Sequence, residues 1–167
     1  MSVTFADLGL AEPIVKALAD RGITEPFPIQ ALSIPDAITG RDVCGKAKTG
    51  SGKTLAFGLP VLHQLGIADK KRPLALALVP TRELAVQVHD ELAPVADELD
   101  RDMCAIYGGA DIEKQIKRLG KGVDFVVATP GRLIDLIERK EVSLDDVEHV
   151  IVDEADRMAD MGFLPQV

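Results

Sequence analysis

Two short segments carry residue types suited to phosphate and metal chemistry. The first is Ala47-Lys48-Thr49-Gly50-Ser51-Gly52-Lys53-Thr54. Glycines at 50 and 52 let backbone N–H groups turn inward on phosphate oxygens, and a following helix N-terminus adds unpaired donors and partial positive charge. In such a loop Lys53 reaches the β- and γ-phosphates of a nucleotide, and Thr54 places its hydroxyl on Mg²⁺. The generic motif has Gly where this chain has Ala47. A dinucleotide loop of the G-x-G-x-x-G kind does not fit, because Leu55 stands at the third glycine and Lys53-Thr54 has no role there. In the second segment, Val150-Ile151-Val152 runs into Asp153-Glu154-Ala155-Asp156. An Asp at the end of an apolar strand can hold Mg²⁺ through water, so Asp153 takes that role. Glu154 then stands where a carboxylate can orient or deprotonate an attacking water. Three carboxylates in four residues repel one another, so a basic partner or a cation is expected beside them.

The elements that must position these groups follow from the apolar pattern. Short runs at Asp42–Gly45, Leu74–Pro80, Met103–Tyr107, Phe125–Thr129 and Val150–Asp153 lack clean alternation, as strands covered on both faces do. Between them, helices are expected at 53–66, 82–99, 111–119 and 131–139. Leu84, Val88, Leu92, Val95 and Leu99 share one face of the second, and Pro94 should kink or split it. This alternation predicts an α/β domain with a mainly parallel sheet and functional groups at the carboxyl ends of its strands. Residues 1–40 read as a helical prelude with breaks around Gly22–Pro28. Ser143-Leu144-Asp145-Asp146 reads as a helix capping box. His63, His89 and His149 are scattered and read as core or surface residues.

Composition narrows the class. A chain of 167 residues with 47% hydrophobic residues can bury one real core. The longest apolar run, Leu74 to Pro80, is too short to span a bilayer, and the N-terminus lacks a charged region followed by an apolar one. Cys44 and Cys104 have no metal-ligand spacing and read as free thiols of a reducing, cytoplasmic setting. The net charge of −8 argues at first against a polyanion partner. Its distribution is uneven, however. Residues 31–80, which hold the phosphate loop, carry seven basic and three acidic residues.

The tetrapeptide Asp153-Glu154-Ala155-Asp156 makes the chain resemble the first RecA-like domain of the DEAD-box ATP-dependent RNA helicases, from Phe5 to Phe163. Ala47 is the family's own first residue in the phosphate loop. Gly22-Ile23-Thr24-Glu25-Pro26-Phe27-Pro28-Ile29-Gln30 resembles its Gln motif, with Phe27 where most members have Thr or Ser. The resemblance implies that Gln30 reads the adenine edge and Phe5 stacks on the ring, with Thr49 to Thr54 on the phosphates. Pro80-Thr81-Arg82, Gly108-Gly109 and Thr129-Pro130-Gly131-Arg132 match family motifs that line the path of one RNA strand. Recognition there would be sequence-independent, through phosphate and 2′-OH groups. Lys53 and Glu154 would be the catalytic groups, Thr54 and Asp153 the Mg²⁺ ligands, and Asp156 an interdomain coupling residue.

The resemblance also implies parts that these residues do not contain: a Ser-Ala-Thr motif and a second RecA-like domain with arginine fingers. Residues 41–167 are therefore read as a partial RecA-like P-loop NTPase domain, incomplete at its C-terminus, acting with ATP, Mg²⁺ and RNA. Alone it is expected to bind nucleotide weakly and not to unwind duplexes. Two rivals stay open: a binding module without turnover, and a DNA translocase or unrelated P-loop ATPase. Gln30 and the 129–132 segment weigh against the latter.

Overall fold

The computed structural model describes residues 3–167. They form two compact units, one from the chain up to Leu65 with Glu91–Asp100, the other from Gly66–Asp90 with Arg101–Val167.

The first unit is helical. It holds α1 (Glu12–Asp20), α2 (Pro28–Ala37), α3 (Lys53–Gln64) and the last turns of α4 (Arg82–Glu98). Proline stands in the first turn of α1 and α2, where a missing N–H costs nothing. Phe5, Ile14, Leu18, Ile34, Leu59 and Leu92 are almost fully buried and form the core. Gly58 permits a close approach: a Cβ there would lie 2.4 Å from Leu92 Cδ2. His63 serves structure, its Nδ1 accepting a 3.2 Å hydrogen bond from the Ala11 N–H. Pro94 does not split α4, which runs unbroken from Arg82 to Glu98. The ring removes one backbone donor, and burial of Leu92, Val95 and Ala96 outweighs that local loss.

The second unit is a parallel sheet with helices. Strands β1 (Ala75–Leu78), β2 (Met103–Ile106), β3 (Phe125–Ala128) and β4 (His149–Val152) stand in the order β2-β3-β1-β4, with α5 (Ile112–Leu119), α6 (Pro130–Glu138) and α7 (Ala155–Asp160). β1 and β3 are buried throughout, as their unbroken apolar runs require. β4 departs from that expectation. It is an edge strand and alternates, with Val150 and Val152 exposed. A second expectation fails at Asp42–Gly45, which is not a strand. Residues 41–48 are irregular and almost wholly exposed, with Val43 at 47%. Two apolar residues between Asp and Gly cannot cover both faces of a parallel strand, and no ladder partner lies beside them among the described residues. Ser143–Asp146 is likewise a turn before β4 rather than a helix start. Ser143 Oγ bonds Asp145, while Asp146 bridges Arg72 through two bonds of 2.5 and 2.8 Å. That bridge lowers the Asp146 carboxyl below its ordinary value.

Asp124 fixes the register of this sheet. It is 5% exposed. Its carboxylate accepts the Ala68 N–H at 2.6 Å and the Asp102 N–H at 2.7 Å, from the loops that feed β1 and β2. Its carbonyl accepts from Leu74 and Ala75. Ala75 and Met103 both pair with Phe125, so the strands start level and also end level.

Two outcomes follow. Replacing Asp124 by Ala strands two part-buried N–H groups and should cost about 2 kcal/mol in urea unfolding. The thiols should also separate. Cys104 is buried and its pKa is pushed up to about 12 by desolvation, whereas Cys44 is exposed. Ellman's reagent at pH 8 should titrate one thiol in the native chain and two after denaturation.

Candidate functional site

In the first unit the phosphate loop passes through a turn closed by the Ser51 N–H on the Lys48 carbonyl at 3.2 Å. Gly50 and Gly52 have φ of 80° and 79°, and α3 starts at Lys53. Lys48, Thr49 and Gly50 are exposed, and Ser51 to Thr54 are half-buried. The Ser51 hydroxyl is buried without a hydrogen-bond partner among the described residues. Gln30 is 1% exposed and already engaged. Its Oε1 accepts the Phe27 N–H at 2.8 Å, and its Nε2 donates to the Gly52 carbonyl at 2.9 Å. The first bond is the glutamine half of a capping box on α2. Each end of the amide keeps one further hydrogen-bonding position, a second N–H on Nε2 and a second lone pair on Oε1. Phe27 is 55% exposed and its ring lies over Gly52. Phe5 sits in the core at 1% exposure.

In the second unit the loops at the carboxyl ends of β1, β2 and β3 meet. Pro80, Arg82, Gly108, Thr129, Gly131 and Arg132 line one cavity of about 480 Å³, together with Asp135 and Phe163. Thr81, Gly109 and Pro130 lie beside it rather than in its lining. Thr81 Oγ1 accepts the Leu84 N–H at 3.3 Å and caps α4. Pro130 is the buried first residue of α6. Gly109 has φ of 80°, and a Cβ on it would lie 3.4 Å from Arg82 Nη1. Thr129 precedes α6 with extended backbone and makes no side-chain cap bond, which leaves its hydroxyl for other partners. Phe163 belongs to none of the motifs and had no assigned role. For Asp135 the spacing is a signal: it stands one turn after Arg132 on the same helix face.

Asp153 ends β4 at 6% exposure, its N–H bonded to the Leu78 carbonyl at 3.0 Å. Its Oδ1 accepts the Glu154 N–H at 2.9 Å. Glu154 occupies the left-handed region, φ 50° and ψ 48°, and its carboxylate meets Arg157 Nη1 at 3.2 Å. Arg157 is thus the basic partner the acidic run called for. Asp156 is exposed, with its Oδ1 on the Arg157 N–H. Among the described residues no three His, Cys, Asp or Glu side chains cluster as a metal cage. A single strand-end carboxylate suits Mg²⁺ held largely by phosphate and water oxygens.

The family model described as DEAD/DEAH box helicase matches residues 27–167. The chain is 47% identical over 163 residues to the DEAD-box ATP-dependent RNA helicase 9 of Oryza sativa subsp. japonica, covering 95% of this chain and 26% of that protein. It is 41% identical over 167 residues to the DEAD-box ATP-dependent RNA helicase CshA of Bacillus subtilis (strain 168), covering 100% and 34%. Among solved structures, the RNA helicase Prp28 from Chaetomium thermophilum, bound to ADP, superimposes with a TM-score of 0.90 at 43% identity, over 97% of this chain and 41% of that one. The chain therefore spans between 26% and 34% of these two curated relatives.

Two glycine substitutions should behave differently. An Ala at Gly52 needs φ of +79° and a Cβ 2.4 Å from Gln30 Nε2, so it should destabilise by about 2 kcal/mol. An Ala at Gly131 meets nothing within 4 Å and should stay within about 0.5 kcal/mol of the parent in urea unfolding.

Proposed function

The chain belongs to the DEAD/DEAH box helicase family, and on that premise we propose that it is the ATP-binding lobe of an ATP-dependent RNA helicase. The observation that carries the RNA part is the shared cavity. Residues from three separate motifs, 80–82, 108–109 and 129–132, reach one concavity built of arginine, a hydroxyl and glycine backbone. Such a surface suits a sugar–phosphate backbone and offers little to the edges of bases. The ATP part is supported by the phosphate loop, with its positive-φ glycines and its orphaned Ser51 hydroxyl.

In this reading the N–H groups from Thr49 to Thr54 and the Lys53 ammonium bind the phosphates. Gln30, with its second N–H and lone pair, and Phe5 select adenine, and for Phe5 this requires leaving its position in the core. Glu154 orients the attacking water and accepts its proton. Thr54 and Asp153 are assigned to Mg²⁺, which when bound neutralises charge on the β- and γ-phosphates. Asp156 couples this lobe to a second RecA-like domain that would supply arginine fingers. Residues 1–40 form the prelude that carries the Gln motif, and 41–167 a partial RecA-like domain. Closure of two such lobes on ATP and one RNA strand would bend that strand and open a short duplex. No described helix is long and apolar enough to cross a membrane. A cytoplasmic site of action is part of the proposal.

The test is direct. A fluorescent ATP analogue should bind the chain weakly, and Lys53→Ala should weaken it about tenfold or more. Strand-displacement assays should detect negligible unwinding by these 167 residues, and robust unwinding would contradict the lobe reading. Phosphate release is then compared for the parent and Glu154→Gln. Equal, non-zero rates would remove Glu154 from the mechanism. No release from either, with RNA binding retained, would make the chain a binding module.

A further inference from the structure

We infer that Gln115 and Arg132 form a positioning pair that holds the Tyr107–Ala110 loop, the floor on which the motif arginine Arg82 would meet a phosphate; this rests on the RNA reading above. Gln115 lies on α5, in no motif, and is 8% exposed. A buried amide must find partners at both ends. Its Nε2 donates to the Tyr107 carbonyl at 3.0 Å, and its Oε1 accepts from Arg132 Nη1 at 3.1 Å. Arg132 also donates to the Ala110 carbonyl from Nη1 at 3.2 Å and from Nη2 at 3.3 Å. The two carbonyls bracket Gly108-Gly109. Two adjacent glycines have more backbone freedom than any other pair, so holding them in one shape needs an external tether. The amide and the guanidinium provide it.

Arg132 therefore spends most of its fork on the wall of the cavity. Arg82 is placed differently. Its side chain is 55% exposed, and its ion contact to Glu83 is a loose 3.7 Å. Its guanidinium lies over Gly109. The tether thus sets the floor on which Arg82 meets a phosphate. A core glutamine with no part in binding would show the same burial, and it is separated by function rather than by stability.

The experiment is fluorescence anisotropy of a labelled 12-nucleotide oligouridylate with the chain across a potassium chloride series. Arg82→Gln should make the log–log salt slope shallower by about 0.7, the value for one phosphate contact on a single strand. Gln115→Met and Arg132→Lys should each weaken binding about three- to tenfold with the slope unchanged. Lysine keeps the charge but cannot span two acceptors as the planar fork does. Parent-like binding by Arg132→Lys, with a shallower slope in Arg132→Gln, would make Arg132 a phosphate ligand and overturn the inference. Parent-like affinity in Gln115→Met would overturn it as well. Circular dichroism accompanies each variant. If Gln115→Met unfolds, Arg132→Lys decides by itself, because that side chain is half-exposed. No salt-dependent binding by the parent chain would overturn the RNA reading and this inference with it.

Discussion

The sheet unit depends on a single buried carboxylate. A parallel sheet has no hairpins to set its register, so each strand must be aligned by something outside the ladder. Asp124 does this by accepting N–H groups from the loops that enter β1 and β2, while its own backbone bonds both neighbours. Strands aligned at their amino ends and equal in length also end together, at Leu78, Ile106 and Ala128. The loops that follow are therefore delivered to one edge. Motifs far apart in sequence meet there because their strands are in step, before any direct contact between the loops is counted.

What sits at that edge is less settled than what holds it. Glu154 adopts a left-handed conformation that costs a non-glycine residue roughly 1–3 kcal/mol, and it is the residue assigned to the attacking water. Gly108 and Gly109 are exposed and need a tether. In the helical unit, Ser51 keeps a buried hydroxyl without a partner among the described residues, beside two glycines at positive φ. Strain and unsatisfied donors gather on loops and are absent from β1 and β3, which are apolar and fully covered. That division between rigid frame and reactive rim is what a phosphate-handling site needs, because an orphaned donor gains its partner only when the ligand arrives.

Much of this was legible in the sequence, for identifiable reasons. The α4 stripe gave its helix because Val88, Leu92 and Val95 recur at the helical period and are fully buried. β1 and β3 were legible as unbroken apolar runs. Asp42–Gly45 was misread because a strand exists only with a ladder partner, which a local pattern cannot supply. Val150 and Val152 were misread as buried for a related reason: edge and centre positions have the same composition, and topology alone separates them. Asp124, Gln115 and Phe163 had no assigned role. Their partners lie at distant sequence positions, and no spacing rule joins Asp124 to Ala68 and Asp102.

The net charge shows the same difference between sequence and space. The eleven acidic residues after position 120 suggest a surface hostile to a polyanion. In the structure, Asp135 meets Arg139, Glu141 meets Lys71, Asp146 meets Arg72 and Glu154 meets Arg157. Asp124 and Asp153 are buried and accept backbone N–H groups. A carboxylate beside a cation or a row of amide dipoles projects a field that falls off faster than that of a bare charge, and salt shortens it further. Repulsion at the cavity is therefore weaker than the formal charge implies. Attraction is modest too: of the charged groups in the lining Arg82 is the exposed one, while Arg132 is tied to Ala110 and Gln115 and Asp135 to Arg139. On the proposed reading, RNA affinity at such a site would be set by backbone donors, shape and one cation, so a charge of −8 and an anionic strand are compatible, with weak binding and a shallow salt slope as the expectation.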